Sequence, residues 1–140
     1  MINNVPENCE VLIAFCVPLG ATREKLHAKI TKVLKKKEYH DVELELQNQS
    51  QSNPTFTSQD SKVVCAVSDA AKSTIGVVPS VYVTQGTSDA NVFRKHGIDT
   101  CFYGPGTWDR IHGYDESVSI KDTVSSLVVY LKAIANYFSG

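Results

Sequence analysis

Three short segments of this 140-residue chain hold residue types that can do chemistry: Gly86-Thr87-Ser88-Asp89-Ala90-Asn91, Tyr103-Gly104-Pro105-Gly106, and His112-Gly113-Tyr114-Asp115-Glu116. In the first, two hydroxyls and a glycine turn precede a short helical pattern. Backbone N–H groups, hydroxyls and the positive end of a helix together bind anions. The same residues also suit an ordinary β-to-α turn in which Thr87, Ser88 or Asp89 caps the helix. A P-loop is excluded, because its lysine and glycine spacing are missing. In the second segment Gly104 and Gly106 flank a proline at the carboxyl end of a short apolar run, where parallel α/β sheets place their ligands. A tight loop using glycine's backbone freedom reads equally well. In the third, the His112 imidazole can ligate zinc, and Asp115 or Glu116 can orient it. A lone loop histidine is also a common surface residue.

Several elements must position these segments. Val11, Ile13, Phe15 and Val17 alternate with smaller apolar residues and predict a strand buried on both faces. Thr22 is placed to cap a helix with Leu26, Ile30, Val33 and Leu34 on one stripe, closed by Lys35-Lys36-Lys37 at its negative end. Val42, Leu44 and Leu46 alternate with Glu43, Glu45 and Gln47, a strand with one wet face. Amides and serines from Gln47 to Pro54 read as a linker, giving two domains, 1–53 and 54–140. Beyond it, Ser58 to Lys72 has helical spacing of Val63, Val64, Val67, Ala70 and Ala71. A strand over 77–84, a helix over 89–96 and a strand over 100–103 follow. A final helix begins at Ser119, with Ile120, Val124, Leu127, Val128, Leu131, Ile134 and Phe138 as its core stripe. The fold class is α/β.

Net charge of -1 and a pI near 6.4 predict neither a nucleic-acid nor a membrane-surface partner. No apolar stretch nears the roughly 18 residues of a transmembrane helix. The four cysteines lack Cys-x-x-Cys spacing, and Cys16, Cys65 and Cys101 lie among apolar neighbours. They read as buried free thiols in the cytoplasm.

The order Gly-Thr-Ser-Asp at 86–89, Gly-Ile-Asp at 97–99, Gly-Pro-Gly at 104–106 and His-x-x-Asp-Glu at 112–116, ahead of an amphipathic helix, resembles the C-terminal end of one enzyme family. This is the two-zinc amidohydrolase family of aminoacylase, acetylornithine deacetylase, succinyl-diaminopimelate desuccinylase and glutamate carboxypeptidase. Ile2-Asn3-Asn4-Val5-Pro6-Glu7 is similar to an Asn-Val-x-Pro segment of its smaller lid domain. The resemblance implies a partial ferredoxin-like lid, or dimerisation, segment followed by the C-terminal strands and helices of a zinc-peptidase-like α/β domain. It implies that His112 is a metal ligand. Gly86, Thr87, Ser88, Gly104 and Gly106 would hold substrate, Asn3 would reach toward the reacting carbonyl, and Asp115 and Glu116 would support the ligand from behind. The implied cofactor is zinc or cobalt, and the implied substrate a small N-acyl amino acid or peptide.

Two departures limit that expectation. Phe15 stands where family members carry an arginine, and a phenyl ring cannot make the bidentate carboxylate contact. The family's His-x-Asp ligands and paired glutamates have no counterpart between Met1 and Gly140. No catalytic residue is therefore assigned. The expectation is the C-terminal portion of a zinc hydrolase, inactive without the N-terminal half, with that half or self-association completing the fold. Met1 then reflects a truncation, a split reading frame or a trimmed boundary. The alternative is a non-catalytic remnant or assembly module of the same fold.

Overall fold

A computed structural model describes residues 8–36, 42, 43, 45, 53–84 and 88–139. The chain forms two compact units, residues 1–53 and 54–140.

The first unit is built on α1, Arg23–Leu34. Gly20 makes the turn before it, at φ 82°. Thr22 is the N-cap, and its Oγ1 accepts from Lys25 N at 3.3 Å. Asn53 Oδ1 accepts from Arg23 N at 3.1 Å, so two of the free N–H groups of the first turn have side-chain acceptors. The backbone N–H of Glu24 and the Thr22 side chain hold the Glu24 carboxyl below its usual range. Leu26, Ile30 and Leu34 are half-buried, whereas Val33, expected on the same stripe, is exposed.

The strand expected over 11–17 is not formed: these residues take no regular secondary structure, and Val11, Ile13 and Phe15 are exposed. Alternating apolar residues become buried only when another strand or layer covers them. Of the strand expected over 42–47, only 42, 43 and 45 fall within the described residues.

The second unit is organised around two helices, α2 (Lys62–Ile75) and α4 (Ile120–Ser139). Ser61 starts α2, and Gly76 ends it at φ 77°, a left-handed position that glycine occupies without a Cβ penalty. Ser119 starts α4, its Oγ accepting from Asp122 N at 3.3 Å. The helices run antiparallel. Lys62 Nζ lies 5.0 Å from the Tyr137 ring centre. Asn136 Nδ2 donates to Ala66 O at 3.4 Å, and Lys132 Nζ donates to Ser73 O at 3.2 Å. Ala70, Ala71, Val129 and Ala133 form the core between them, joined at its edge by Val67 and Tyr103. Alanines on α2 let the α4 backbone approach closely.

That choice of face corrects the stripe expected for α4. Its buried positions are Ser126, Val129 and Ala133, while Ile120, Val124, Leu127, Val128, Leu131, Ile134 and Phe138 are exposed. The small-residue side of the helix matches the alanine side of α2, and the larger residues point elsewhere.

The segments 77–84 and 100–103 likewise take no regular secondary structure and form no strand ladder among the described residues. Val77, Val78, Val81, Tyr82 and Val83 are exposed. The buried-thiol expectation is also corrected. Cys16 and Cys65 are exposed, and only Cys101 is partly buried. Cys65 lies on the side of α2 turned away from α4, and Cys16 lies in the uncovered segment 11–17.

Candidate functional site

Helix α3, Ala90–Lys95, follows the first glycine turn. Gly86 and Thr87 lie outside the described residues, as does Asn3. Ser88 is half-buried, and its carbonyl accepts from Asn91 N at 3.2 Å as the chain turns into α3. Asp89 occupies the N-cap position in a helical conformation and makes no side-chain cap. The helix is held instead by its side chains. Thr55 Oγ1 donates to Asn91 Oδ1. Arg94 donates from Nε to Thr57 Oγ1 at 3.0 Å, from Nη2 to Thr100 O at 2.7 Å, and from Nη1 to Thr55 O at 3.4 Å. Its guanidinium also lies 5.9 Å from the Phe102 ring centre. One planar fork thus ties together 55–57, α3 and the segment beginning at Thr100.

Thr57 completes this junction. Its Oγ1 donates to Thr100 O at 2.7 Å and accepts from Thr100 N at 3.0 Å. Next to it, burial pushes the Cys101 thiol up from its usual pKa, partly offset by the Arg94 charge. The sequence pattern did not single out Arg94. Its only signal is the threonine at 55, 57 and 100, and threonine is too common on surfaces to mark a junction.

The second turn leaves Tyr103, whose carbonyl accepts from the Tyr130 hydroxyl at 2.6 Å. Gly104 and Gly106 are exposed, and Gly106 sits at φ 103°, where a side chain would be strained. Gly104 lacks that constraint.

The histidine loop is knit locally. Trp108–Arg110 forms a 3₁₀ turn, and Gly113 N donates to Arg110 O at 3.1 Å. Arg110 Nη1 donates to Ser117 Oγ at 2.9 Å. His112 and Asp115 adopt left-handed backbone conformations, φ 60° and 57°, unusual outside glycine and a mark of a constrained loop. Glu116 Oε2 accepts from the backbone N–H of His112 at 3.3 Å. The acid therefore holds the histidine's main chain, not its imidazole. All these residues are exposed. Among the described residues, no hydrogen bond links this loop to Ser88 or Gly104.

The donor set does not fit a zinc site by itself. Among the described residues there is no group of three or more His, Cys, Asp or Glu side chains able to hold a metal ion. Zinc needs three or four protein ligands, and His112 supplies one imidazole.

Residues 3–136 match the profile of peptidase family M20/M25/M40. Among similar proteins, the succinyl-diaminopimelate desuccinylase of Helicobacter pylori strain Shi470 is 35% identical over 135 residues, covering 96% of this chain and 34% of that protein. The enzyme of the same name from Helicobacter pylori strain P12 is 36% identical over 121 residues, covering 86% of this chain and 30% of that protein. That of Helicobacter hepaticus is 28% identical over 125 residues, covering 89% and 30% respectively. The chain thus spans about a third of the length of the curated relatives it matches. No solved structure matches it significantly. Among the described residues, no helix is long and apolar enough to cross a membrane.

Proposed function

This chain belongs to peptidase family M20/M25/M40, a family of metallopeptidases and related hydrolases, and from that premise we propose that it acts as the C-terminal portion of a metal-dependent amidohydrolase. The single observation that carries the proposal is 35% identity across 96% of the chain to a desuccinylase of which it covers 34%. The substrate class is N-acyl amino acids or small peptides, with N-succinyl-diaminopimelate the first to test.

In this reading residues 1–53 serve as part of the lid or dimerisation domain, and 54–140 as the C-terminal part of the catalytic α/β domain. The strands at 11–17, 77–84 and 100–103 form their ladders when the rest of the fold is present. Their exposed apolar side chains support this, since such residues are stabilised by burial under a further layer.

His112 would contribute one ligand to a zinc or cobalt centre whose other ligands and general base the N-terminal half of the enzyme would supply. The metal would polarise the scissile carbonyl and activate water. This chain's own part is to present His112 on a loop fixed by Glu116, and to offer the turns at 86–88 and 104–106 to the substrate carboxylate or acyl group. Asn3, in the lid segment, is the residue assigned to the reacting carbonyl. Asp115 supports the His112 loop alongside Glu116. Free thiols at Cys9, Cys16, Cys65 and Cys101 suit a reducing compartment such as the cytoplasm.

Among the described residues no three-donor group accompanies His112, which leaves a second reading, a non-catalytic module of the same fold. One experiment separates the two. The chain is mixed with the N-terminal two thirds of the Helicobacter pylori desuccinylase and assayed on N-succinyl-diaminopimelate with zinc or cobalt. The proposal expects no turnover by the chain alone, and chelator-sensitive turnover by the mixture that His112→Ala abolishes. An inert mixture that nevertheless forms a complex supports the second reading.

A further inference from the structure

No strand ladder lies behind the Gly104–Pro105–Gly106 turn among the described residues, yet the segment leading into it is held at both ends. At Thr100, the carbonyl accepts from Arg94 Nη2 at 2.7 Å and from Nε at 3.2 Å, with Thr57 Oγ1 on the same oxygen at 2.7 Å. At Tyr103, the carbonyl accepts from the Tyr130 hydroxyl at 2.6 Å, and the two rings meet edge to face with centres 5.9 Å apart. A Cβ built on Gly104 would lie 3.6 Å from that hydroxyl, so Tyr130 also sits beside the turn itself. Tyr130 follows Val129, the most deeply buried large side chain of the α2–α4 core. The anchor is therefore mounted on a helix that helps form the buried core of its unit.

We propose that Tyr130 is a positioning residue for the Gly104–Pro105–Gly106 turn, with Arg94 securing the far end of the same segment, so that the turn is set before a substrate carboxylate arrives. The inference rests on the reading of that turn as a substrate contact and adds the device that shapes it. A backbone already fixed in its bound form loses less freedom on binding, which appears as affinity. Losing one hydrogen bond of this kind is expected to weaken binding roughly fivefold. A lysine at position 94 would keep the charge but lose the planar fork that reaches Thr57 and Thr100 together.

The test uses the full chain and nuclear magnetic resonance, with N-succinyl-diaminopimelate as the added ligand. In the wild type, the Gly104 and Gly106 amide signals should shift on titration. In Tyr130→Phe, which keeps the ring, amide exchange at both glycines should rise roughly fivefold and the ligand Kd should weaken by a similar factor. The amide chemical shifts of Ala70, Ala71 and Val129 should stay unchanged, which a general loss of packing would not allow. Arg94→Lys leaves α4 untouched and should raise exchange across Cys101–Tyr103 with the same weakening. Wild-type shifts with Kd and exchange unaltered in both variants would overturn the positioning role while leaving the turn's role intact. No shift in the wild type would overturn the reading of the turn, and this inference with it.

Discussion

The α2–α4 pair and the stretch from Val77 to Glu116 belong to one unit, yet they solve the problem of burial differently. The helix pair is closed: Ala70, Ala71 and Val129 are fully covered, and polar bridges from Lys132 and Asn136 fix the helices' alignment. The stretch bearing the candidate site is open. Its valines are exposed, and its order comes from a few side-chain grips at Arg94, Thr57, Tyr130 and Glu116. Two helices can cover one another's stripe with no other element. A strand cannot, because its backbone and both its faces require neighbours. The difference teaches that the helix pair closes on itself, whereas the site-bearing part leaves its apolar side chains uncovered.

The largest expected effect tests the closed side. Val129→Ala should lower stability by about 2 kcal/mol, from lost burial and the cavity left behind. Ile134→Ala, on the exposed stripe of the same helix, should cost within about 0.5 kcal/mol. Urea unfolding followed by circular dichroism checks both. Equal losses would mean that the outer stripe is covered in solution, and the contrast would fail. A smaller effect belongs to the turn. Gly106→Ala should cost about 1 kcal/mol, because φ 103° strains an L residue. Gly104→Ala should be nearly neutral, since its Cβ would meet Tyr130 at an ordinary 3.6 Å.

How much of this was legible in the sequence follows the same division. The Thr22 and Ser119 caps are set by neighbours within a turn, so residue type and spacing found both helix starts. The α2 stripe was legible because its apolar side is unambiguous. The α4 stripe was not. The sequence offers two faces, one of large apolar residues and one of small ones, and only the shape of the partner helix decides which closes first. The strand patterns at 11–17 and 77–84 are plain in the residues, but pairing is non-local and no local signal supplies a partner. In the candidate site, His112 and Glu116 were singled out by type. The acid's bond to the main chain was not foreseeable, because it follows from the left-handed turn at His112.

Two further outcomes sharpen the comparison at lower cost in energy. Burial raises the Cys101 pKa, so its thiolate fraction at pH 8 is smaller than that of an ordinary thiol, and its contribution to folding is present below the usual thiol pKa and lost as pH rises through the raised value. Alkylation mapped by mass spectrometry should therefore modify Cys9, Cys16 and Cys65 several-fold faster than Cys101. Cys101 reacting as fast as the others would show that the Thr57–Arg94–Thr100 junction opens freely. The smallest effect is at the start of α1. The Glu24 carboxyl is held low, so its support of the helix is present above the unfolded carboxylate pKa and lost as pH falls through the lowered one. A slight loss of helicity in that acid window, absent in Glu24→Gln, is expected by circular dichroism. Identical acid profiles would remove Glu24 from the account.

The central proposal is that this chain carries one ligand of a shared metal centre, not a centre of its own. Calorimetric titration of zinc into the purified chain tests it most directly. The account predicts weak uptake without defined stoichiometry, because one imidazole cannot fill a coordination shell that takes three or four protein donors. A stoichiometric site of submicromolar affinity that His112→Ala abolishes would contradict it.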